Sequence, residues 1–142
     1  MRKIKVFVDS DVIISSLISS TGAAYFLIHK TNLELYITNQ SVTELEIVAD
    51  RLNLNPVKLK NLIKDHLKIL KLEESLAKVK EKYNQYTYDL NDSHIVAGAR
   101  QANPNFLITY NTRHFKADKI KQDFKIIVIT PAYLLQFLRS RK

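Results

Sequence analysis

The sequence of 142 residues contains no cysteine and no tryptophan, and it has only two glycines and three prolines. Without cysteine the chain can form neither a disulfide nor a thiolate metal site, which favours a reducing compartment. No apolar run reaches the roughly 18 residues that a membrane-spanning helix needs. The N-terminus also lacks the pattern of a signal peptide. We therefore expect a cytoplasmic protein with no membrane association.

Internal repeats, low-complexity tracts and linkers rich in glycine and serine are absent as well. A chain of this length is typical of one domain that can bury a sizeable core. Hydrophobic residues make up 46% of the sequence and charged residues 25%, which is an ordinary balance for a globular protein. We expect a single domain over residues 1–142.

Acidic residues are in the minority, because 14 Asp and Glu stand against 22 Lys and Arg and the formal net charge is +8. This excess favours a polyanionic partner such as nucleic acid, since neutralised phosphates release their condensed counterions. The four histidines show no spacing typical of a zinc site, and no glycine-rich phosphate loop is present. The lysine-rich stretch 58–82 is most simply the solvated face of two helices.

Strands alternate with helices along the sequence. Segments rich in β-branched and aromatic residues predict four strands, at 3–9, 33–38, 105–109 and 124–130. Helical patterns occupy 12–19, 22–30 and 44–52, and the cap of the third is Asn39 or Ser41. Two amphipathic patterns follow, from Pro56 to Leu70 and from Leu72 to Tyr83. A further helix runs from Asn91 or Asp92 to about Ala102, and a last one starts at Pro131. This alternation predicts an α/β fold with a mainly parallel central sheet flanked by helices.

Polar side chains follow the predicted strands. Asp9 ends the first strand, and Glu44 lies six residues beyond the end of the second. Asp92 opens a helix, and Asn111 lies two residues beyond Thr109, where the third predicted strand ends. Functional groups in open parallel sheets gather beyond the carboxyl ends of the strands, so we expect these four residues at one edge. Neighbouring carboxylates are costly unless a cation lies among them, and oxygen ligands suit Mg²⁺ or Mn²⁺.

Three neighbouring acids compete with this assignment. Asp11 is expected to be the N-cap of the first helix, which leaves Asp9 free to bind metal. Glu46 competes with Glu44, because two residues on a helix at that spacing point to different faces. Asp89 precedes the helix that Asp92 opens, and its contribution stays open together with that of Glu46.

Four segments carry a resemblance to a known family. The stretches "VFVDSDVIISSL", "SVTELEIV", "DLNDSHIVAGAR" and "LITYNTRHF" occur in the order and spacing of the PIN domain, and the chain resembles this family from its first strand to its last. PIN domains include many bacterial VapC-type toxins. The resemblance departs at Asn111, where many members carry a fourth acid, and this puts a second metal ion in doubt more than the fold.

The resemblance implies a metal-dependent endoribonuclease, with Asp9, Glu44 and Asp92 as metal ligands, Asn111 as a supporting residue and Mg²⁺ or Mn²⁺ as cofactor. It also implies the role of the toxin in a type II toxin-antitoxin pair, with an RNA substrate, a cognate antitoxin and a homodimer. Alternatives are a PIN nuclease of RNA processing, a PIN scaffold that binds RNA without cutting it, and a phosphoacceptor receiver domain. The receiver domain also places acids after its first strand, but it needs an acceptor Asp at the end of a further central strand, and there this chain has Thr38 and Asn39 or Thr109 instead.

Overall fold

The computed structural model describes residues 3–141, and so the ends of the predicted domain, residues 1–2 and 142, lie outside the described residues. The strands are β1 (Lys5–Val8), β2 (Glu34–Thr38), β3 (Leu67–Leu70), β4 (Phe106–Ile108) and β5 (Ile127–Ile129). The helices are α1 (Ser10–Ile18), α2 (Ala23–Lys30), α3 (Asn39–Arg51), α4 (Pro56–His66), α5 (Leu76–Tyr83), α6 (Ser93–Ala102), α7 (Ala117–Phe124) and α8 (Pro131–Ser140). Short 3₁₀ helices lie at Asn84–Tyr86, Leu90–Asp92 and Thr112–His114.

The five strands form one sheet in the order β3-β2-β1-β4-β5, and every neighbouring pair is parallel. Phe7 in the central strand is aligned with Tyr36 on one side and Leu107 on the other. This parallel sheet with flanking helices confirms the predicted fold class. The carboxyl ends of β1, β2 and β4 therefore meet at one edge of the sheet.

The third strand of the structure was not predicted. The prediction that one helix runs from Pro56 to Leu70 is wrong, because α4 ends at His66 and the next four residues pair with β2. Leu67 and Leu70 continue the apolar spacing of the helix, but in the structure Leu67 is aligned with Leu35 of β2. A short apolar run fits either pattern, and pairing with a distant strand decides between them.

Several boundaries also differ from the prediction. Thr38 is the cap of α3, in place of Asn39 or Ser41, because its Oγ1 accepts a hydrogen bond from the Ser41 amide at 3.1 Å. Helix α6, by contrast, begins at Ser93 with Asp92 as its N-cap residue and ends at Ala102, as predicted. Helix α7 was not predicted, and it ends at Phe124, which is the first residue of the predicted strand 124–130.

The sheet separates two hydrophobic clusters. Val6 and Val8 of β1 pack with α1 to α4 and α8, whereas Phe7 packs with α5, α6 and α7. Helix α6 lies very close to the sheet at Gly98, where a Cβ would come within 2.4 Å of Thr38 Cγ2 and 2.7 Å of the Phe7 ring. Glycine at this position therefore permits the approach of the helix that carries Asp92 at its N-terminus.

Within residues 3–141, no single helix is long and apolar enough to cross a membrane, and α1 and α2 reach the required length and composition only as a pair bent by 95°.

Candidate active site

Asp9 lies where β1 passes into α1. Its Oδ1 accepts a hydrogen bond from the Ser10 amide at 2.8 Å, so Asp9 is the N-cap of α1. Its Oδ2 accepts a hydrogen bond from the Thr109 hydroxyl at 2.9 Å. The expectation that Asp11 caps this helix is therefore wrong, because Asp11 lies in the first turn and its side chain turns toward the end of β4 instead.

Asp11 joins α1 to the loop that follows β4. Its Oδ2 accepts hydrogen bonds from the Tyr110 amide at 3.0 Å, from Asn111 Nδ2 at 3.0 Å and from the Thr109 hydroxyl at 3.3 Å. Its Oδ1 is buried and has no hydrogen-bond partner among residues 3–141. The two carboxylates of Asp9 and Asp11 thus share one hydroxyl, and one carboxylate oxygen is free to accept a further ligand.

The electrostatics of Asp9 indicate a crowded anionic site. Burial raises its pKa from 3.8 to about 7, and the negative charges of Asp11 and then Asp92 add to the increase, against the hydrogen bonds from Thr109 and Ser10. Burial also raises the pKa of Asp11. Because each of these groups resists ionisation beside the others, a cation at this position would be strongly favoured.

Glu44 faces the same end of the sheet from α3 and pairs with a histidine. Its Oε1 lies 3.1 Å from Nε2 of His94, a side chain of α6 that is only 8% exposed. Burial alone would raise the pKa of Glu44, but the contact with His94 and a hydrogen bond with Gln40 bring it below its ordinary value. His94 was not predicted as a site residue, because the sequence spacing of the histidines shows only that they fit no zinc motif. Glu46 does not share this contact and lines a separate apolar groove between α3 and α4.

Asp92 ends the 3₁₀ turn before α6. Its Oδ2 lies 3.7 Å from Nδ1 of His114. Burial raises the pKa of Asp92, the nearby His114 lowers it, and the charges of Asp89 and Glu44 raise it further. Asp89 caps the turn, since its Oδ1 accepts a hydrogen bond from the Asn91 amide at 2.9 Å.

The structure thus joins the predicted residues in two groups. Asp9 and Asn111 are linked through Asp11 and Thr109, whereas Glu44 is held by His94. The negative charge of Asp92 raises the pKa of Asp9, and the negative charge of Glu44 raises the pKa of Asp92. Among residues 3–141, no three acidic or histidine side chains are close enough to form a ready-made metal cluster.

The donor chemistry at this edge nevertheless fits a hard divalent cation. The available donors are carboxylate and amide oxygens, and Asp11 Oδ1 is a buried acceptor without a partner in the described part of the chain. Mg²⁺ retains several waters and needs only one or two protein carboxylates, so it does not require a closed cage of side chains. The raised pKa of Asp9 shows that its negative charge is unfavourable among these neighbours, and a cation would relieve this cost.

A comparison with protein-family models matches residues 5–113 to the PIN domain, a range that includes Asp9, Glu44, Asp92 and Asn111. The chain belongs to the PIN domain family. PIN domains are nucleases, and PIN nucleases generally use a divalent metal ion. The comparison with curated proteins gives no significant match.

Two solved structures share the fold of this PIN domain. One is a toxin-antitoxin complex from Klebsiella pneumoniae, with 20% identity and a TM-score of 0.64, covering 89% of this chain and 97% of the other. The other is VapBC2 from Rickettsia felis bound to a DNA fragment from its promoter, with 13% identity and a TM-score of 0.61, covering 89% of this chain and 98% of the other. At these identities the similarity establishes the shared fold.

Proposed function

We propose that this PIN domain is a metal-dependent endoribonuclease and the toxin of a type II toxin-antitoxin pair. The observation that carries the proposal is the carboxylate of Asp9, partly buried beside Asp11 and within the field of Asp92 at the carboxyl edge of a PIN fold. A protein that used these residues only for structure would gain by replacing one carboxylate with a neutral group. The retained charges are explained by a cation that the site binds.

In this proposal Asp9, Glu44 and Asp92 hold Mg²⁺ or Mn²⁺. The ion, when bound, supplies charge stabilisation at the scissile phosphate and lowers the pKa of an attacking water. The chain's own residues orient the ligands: Thr109 donates to Asp9, and His94 fixes the carboxylate of Glu44. Such outer partners restrict the ligand rotamers and thereby favour one geometry of the site.

Asn111 has a supporting role in this scheme. Its side-chain amide donates to Asp11 rather than offering a carboxylate, so the site has one negative charge fewer than a site with a fourth acid. A second divalent ion should therefore bind more weakly than the first, because less charge offsets the repulsion between two cations. In-line attack by water on the phosphate would leave a 3′-hydroxyl and a 5′-phosphate.

The surface beside the site supports RNA as the substrate. Tyr88 is 73% exposed, and Lys116 Nζ lies 5.2 Å from the centre of its ring. The backbone holds this pair in place, because the Tyr88 amide donates to the His114 carbonyl and the Lys116 amide donates to the Tyr86 carbonyl. The exposed ring of Tyr88 can stack on an unpaired base of RNA. Lys116 can then contact the phosphate group next to that base.

The toxin role comes from the two structural relatives, both of which are toxin-antitoxin structures. By analogy with them, this chain binds a cognate antitoxin protein, and we propose a homodimer as its assembly. An RNA-processing nuclease of the same family would share the metal site and lack the antitoxin. A PIN scaffold that binds RNA without cutting it would need none of the site's charges, so this alternative is the least favoured.

The experiment is incubation of the purified protein with total RNA in EDTA, Mg²⁺ or Mn²⁺. We expect cleavage with metal, none with EDTA, and 5′-phosphate ends on the products. Asp9→Asn should abolish cleavage, and Asp65→Asn, which changes an exposed carboxylate at the opposite end of the sheet, should leave it intact. Binding of RNA without cleavage under any condition would overturn the nuclease assignment in favour of the scaffold.

Expression in cells tests the toxin role separately. The parent protein should arrest growth, and Asp9→Asn should not. Co-expression of a small neighbouring open reading frame should restore growth by binding the nuclease. Normal growth with an active nuclease would favour RNA processing over a toxin.

A further inference from the structure

A cavity of about 250 Å³ lies directly beside Glu44. It is bounded by α3, α5, α6 and the 3₁₀ turn Leu90–Asp92. Glu44 and His94, which are paired at 3.1 Å, form part of its wall, so the cavity and the candidate metal site have Glu44 in common. Anything bound in the cavity would therefore lie next to a phosphate held at the site.

The size and walls of the cavity restrict its occupant. Small-molecule sites usually measure roughly 300–1,000 Å³, so this cavity is suited to one ring system rather than to a larger ligand. Leu76 and Leu90 line it, and both leucines are substantially exposed, at 43% and 53%. Exposed leucines from two different elements of the cavity wall, α5 and the 3₁₀ turn, offer apolar contact that a flat ring would cover.

Polar groups in the same cavity can read the edge of a ring. Gln40 and Asn91 both line it, and each amide offers two N–H donors and a carbonyl acceptor. The backbone of Asn91 is fixed, because its amide donates to Asp89 Oδ1 at 2.9 Å. His94 Nδ1 is buried beside the cavity and has no hydrogen-bond partner among residues 3–141. Such groups distinguish one pattern of donors and acceptors from another.

We propose that this cavity binds one nucleobase of the RNA, that of a nucleotide adjacent to the cleaved phosphodiester, and thereby sets the sequence preference of cleavage. The proposal rests on the proposed nuclease function, since Glu44 connects the cavity to the scissile phosphate. Lys80 also lines the cavity, and its charge can neutralise a phosphate of the bound nucleotide. Specific RNA recognition of this kind requires a single-stranded base that can turn out of its stack.

The test uses a single-stranded RNA pool with a randomised centre, cleaved by the parent and by two cavity variants, Asn91→Ala and Leu90→Ala. The parent should prefer one base at a position flanking the cut. Each variant should cleave the preferred sequences about tenfold more slowly and the disfavoured sequences at nearly the parent rate. The matched controls Asn61→Ala and Leu52→Ala change exposed residues outside the cavity and should keep both rate and preference.

Equilibrium binding keeps the proposal testable if the protein cleaves nothing. Labelled oligo(A), oligo(C), oligo(G) and oligo(U) are titrated with the parent and with Asn91→Ala in the absence of metal. We expect unequal affinities in the parent and nearly equal affinities in the variant. Cleavage or binding without any base preference in the parent overturns the cavity's role, even where the nuclease function holds.

An unchanged preference in both variants also contradicts the proposal and leaves the cavity to a protein partner. A loss of activity that is uniform over all sequences contradicts it too, because it places Leu90 and Asn91 in the general architecture of the site. A circular dichroism melt of each variant identifies a loss that arises from unfolding.

Discussion

Replacement of Asp9 by asparagine separates the electrostatic role of this residue from its structural role. The substitution keeps the shape of the side chain and an oxygen that can accept the hydrogen bond from the Ser10 amide, so the cap of α1 is retained. It removes the negative charge, and the amide N–H group that replaces Oδ2 faces the Thr109 hydroxyl, which is able to donate to Asp11 instead. We expect a protein that loses cleavage and is more stable than the parent in the absence of divalent metal.

The pKa of Asp9 gives the size and the sign of this effect. Folding raises the pKa from 3.8 to about 7, so the folded state binds the proton more tightly than the unfolded state. Ionisation of Asp9 costs no stability below pH 3.8, costs progressively more up to about pH 7, and costs a constant amount above it. At about 1.36 kcal/mol for each pKa unit, the full cost is roughly 4 kcal/mol as an upper limit.

The asparagine side chain mimics the protonated carboxyl and avoids this cost. Allowing for relaxation around the charge in the parent, we expect the variant to be more stable by about 2–4 kcal/mol at pH 8. For a chain of this length that corresponds to a melting temperature higher by about 6–12 °C. The difference should shrink as the pH falls from 7 toward 3.8, since the parent then carries less of the unfavourable charge.

The assay is thermal unfolding in EDTA from pH 8 to pH 4, followed by circular dichroism, with Asp65→Asn as the control for loss of an exposed charge. Added Mg²⁺ or Mn²⁺ should stabilise the parent at pH 8 and have a much smaller effect on the variant. A variant that melts below the parent at every pH would refute the reasoning and assign Asp9 a purely structural role.

Three further perturbations test other contacts. Asn111→Asp should reduce the free energy of unfolding in EDTA by about 1–3 kcal/mol, seen as a lower melting temperature, because it replaces a donor to Asp11 with a second carboxylate, and it should increase the stabilisation by Mg²⁺. Gly98→Ala should reduce the free energy of unfolding by about 1–3 kcal/mol through the clash with Thr38, seen as a lower urea midpoint, and an unchanged midpoint would show that α6 can move away from the sheet. RNA affinity should fall steeply with salt, and Lys119→Ala should reduce the slope of log K against log salt by about 0.7 if that lysine contacts a phosphate.

The regular part of the fold could be predicted because it depends on local pattern. Residues 33–38 contain β-branched and aromatic side chains in a continuous run, and the structure has β2 at Glu34–Thr38. The strand at Leu67–Leu70 could not be predicted in this way, since its leucines satisfy helical spacing and its identity depends on pairing with β2.

The contacts of the site were harder to predict than its position. Asp11 meets the Thr109 hydroxyl across 98 residues of sequence, and no local pattern encodes that hydrogen bond. The cap of α1 was therefore assigned to Asp11 instead of Asp9, because the sequence shows two nearby acids and does not show which of them turns toward β4. The partner of Glu44 was missed for the same reason, as His94 lies on a different helix.

The strand order has a consequence for local unfolding. The residues Asp9 and Thr109 directly follow β1 and β4, which both lie inside the sheet, whereas β3 and β5 form its edges. Edge strands open at lower free energy than inner strands, so amide hydrogen exchange should be fast along β3 and slow at Phe7 and Leu107. The two edge strands can therefore open while the backbone that supports Asp9 and Thr109 stays closed.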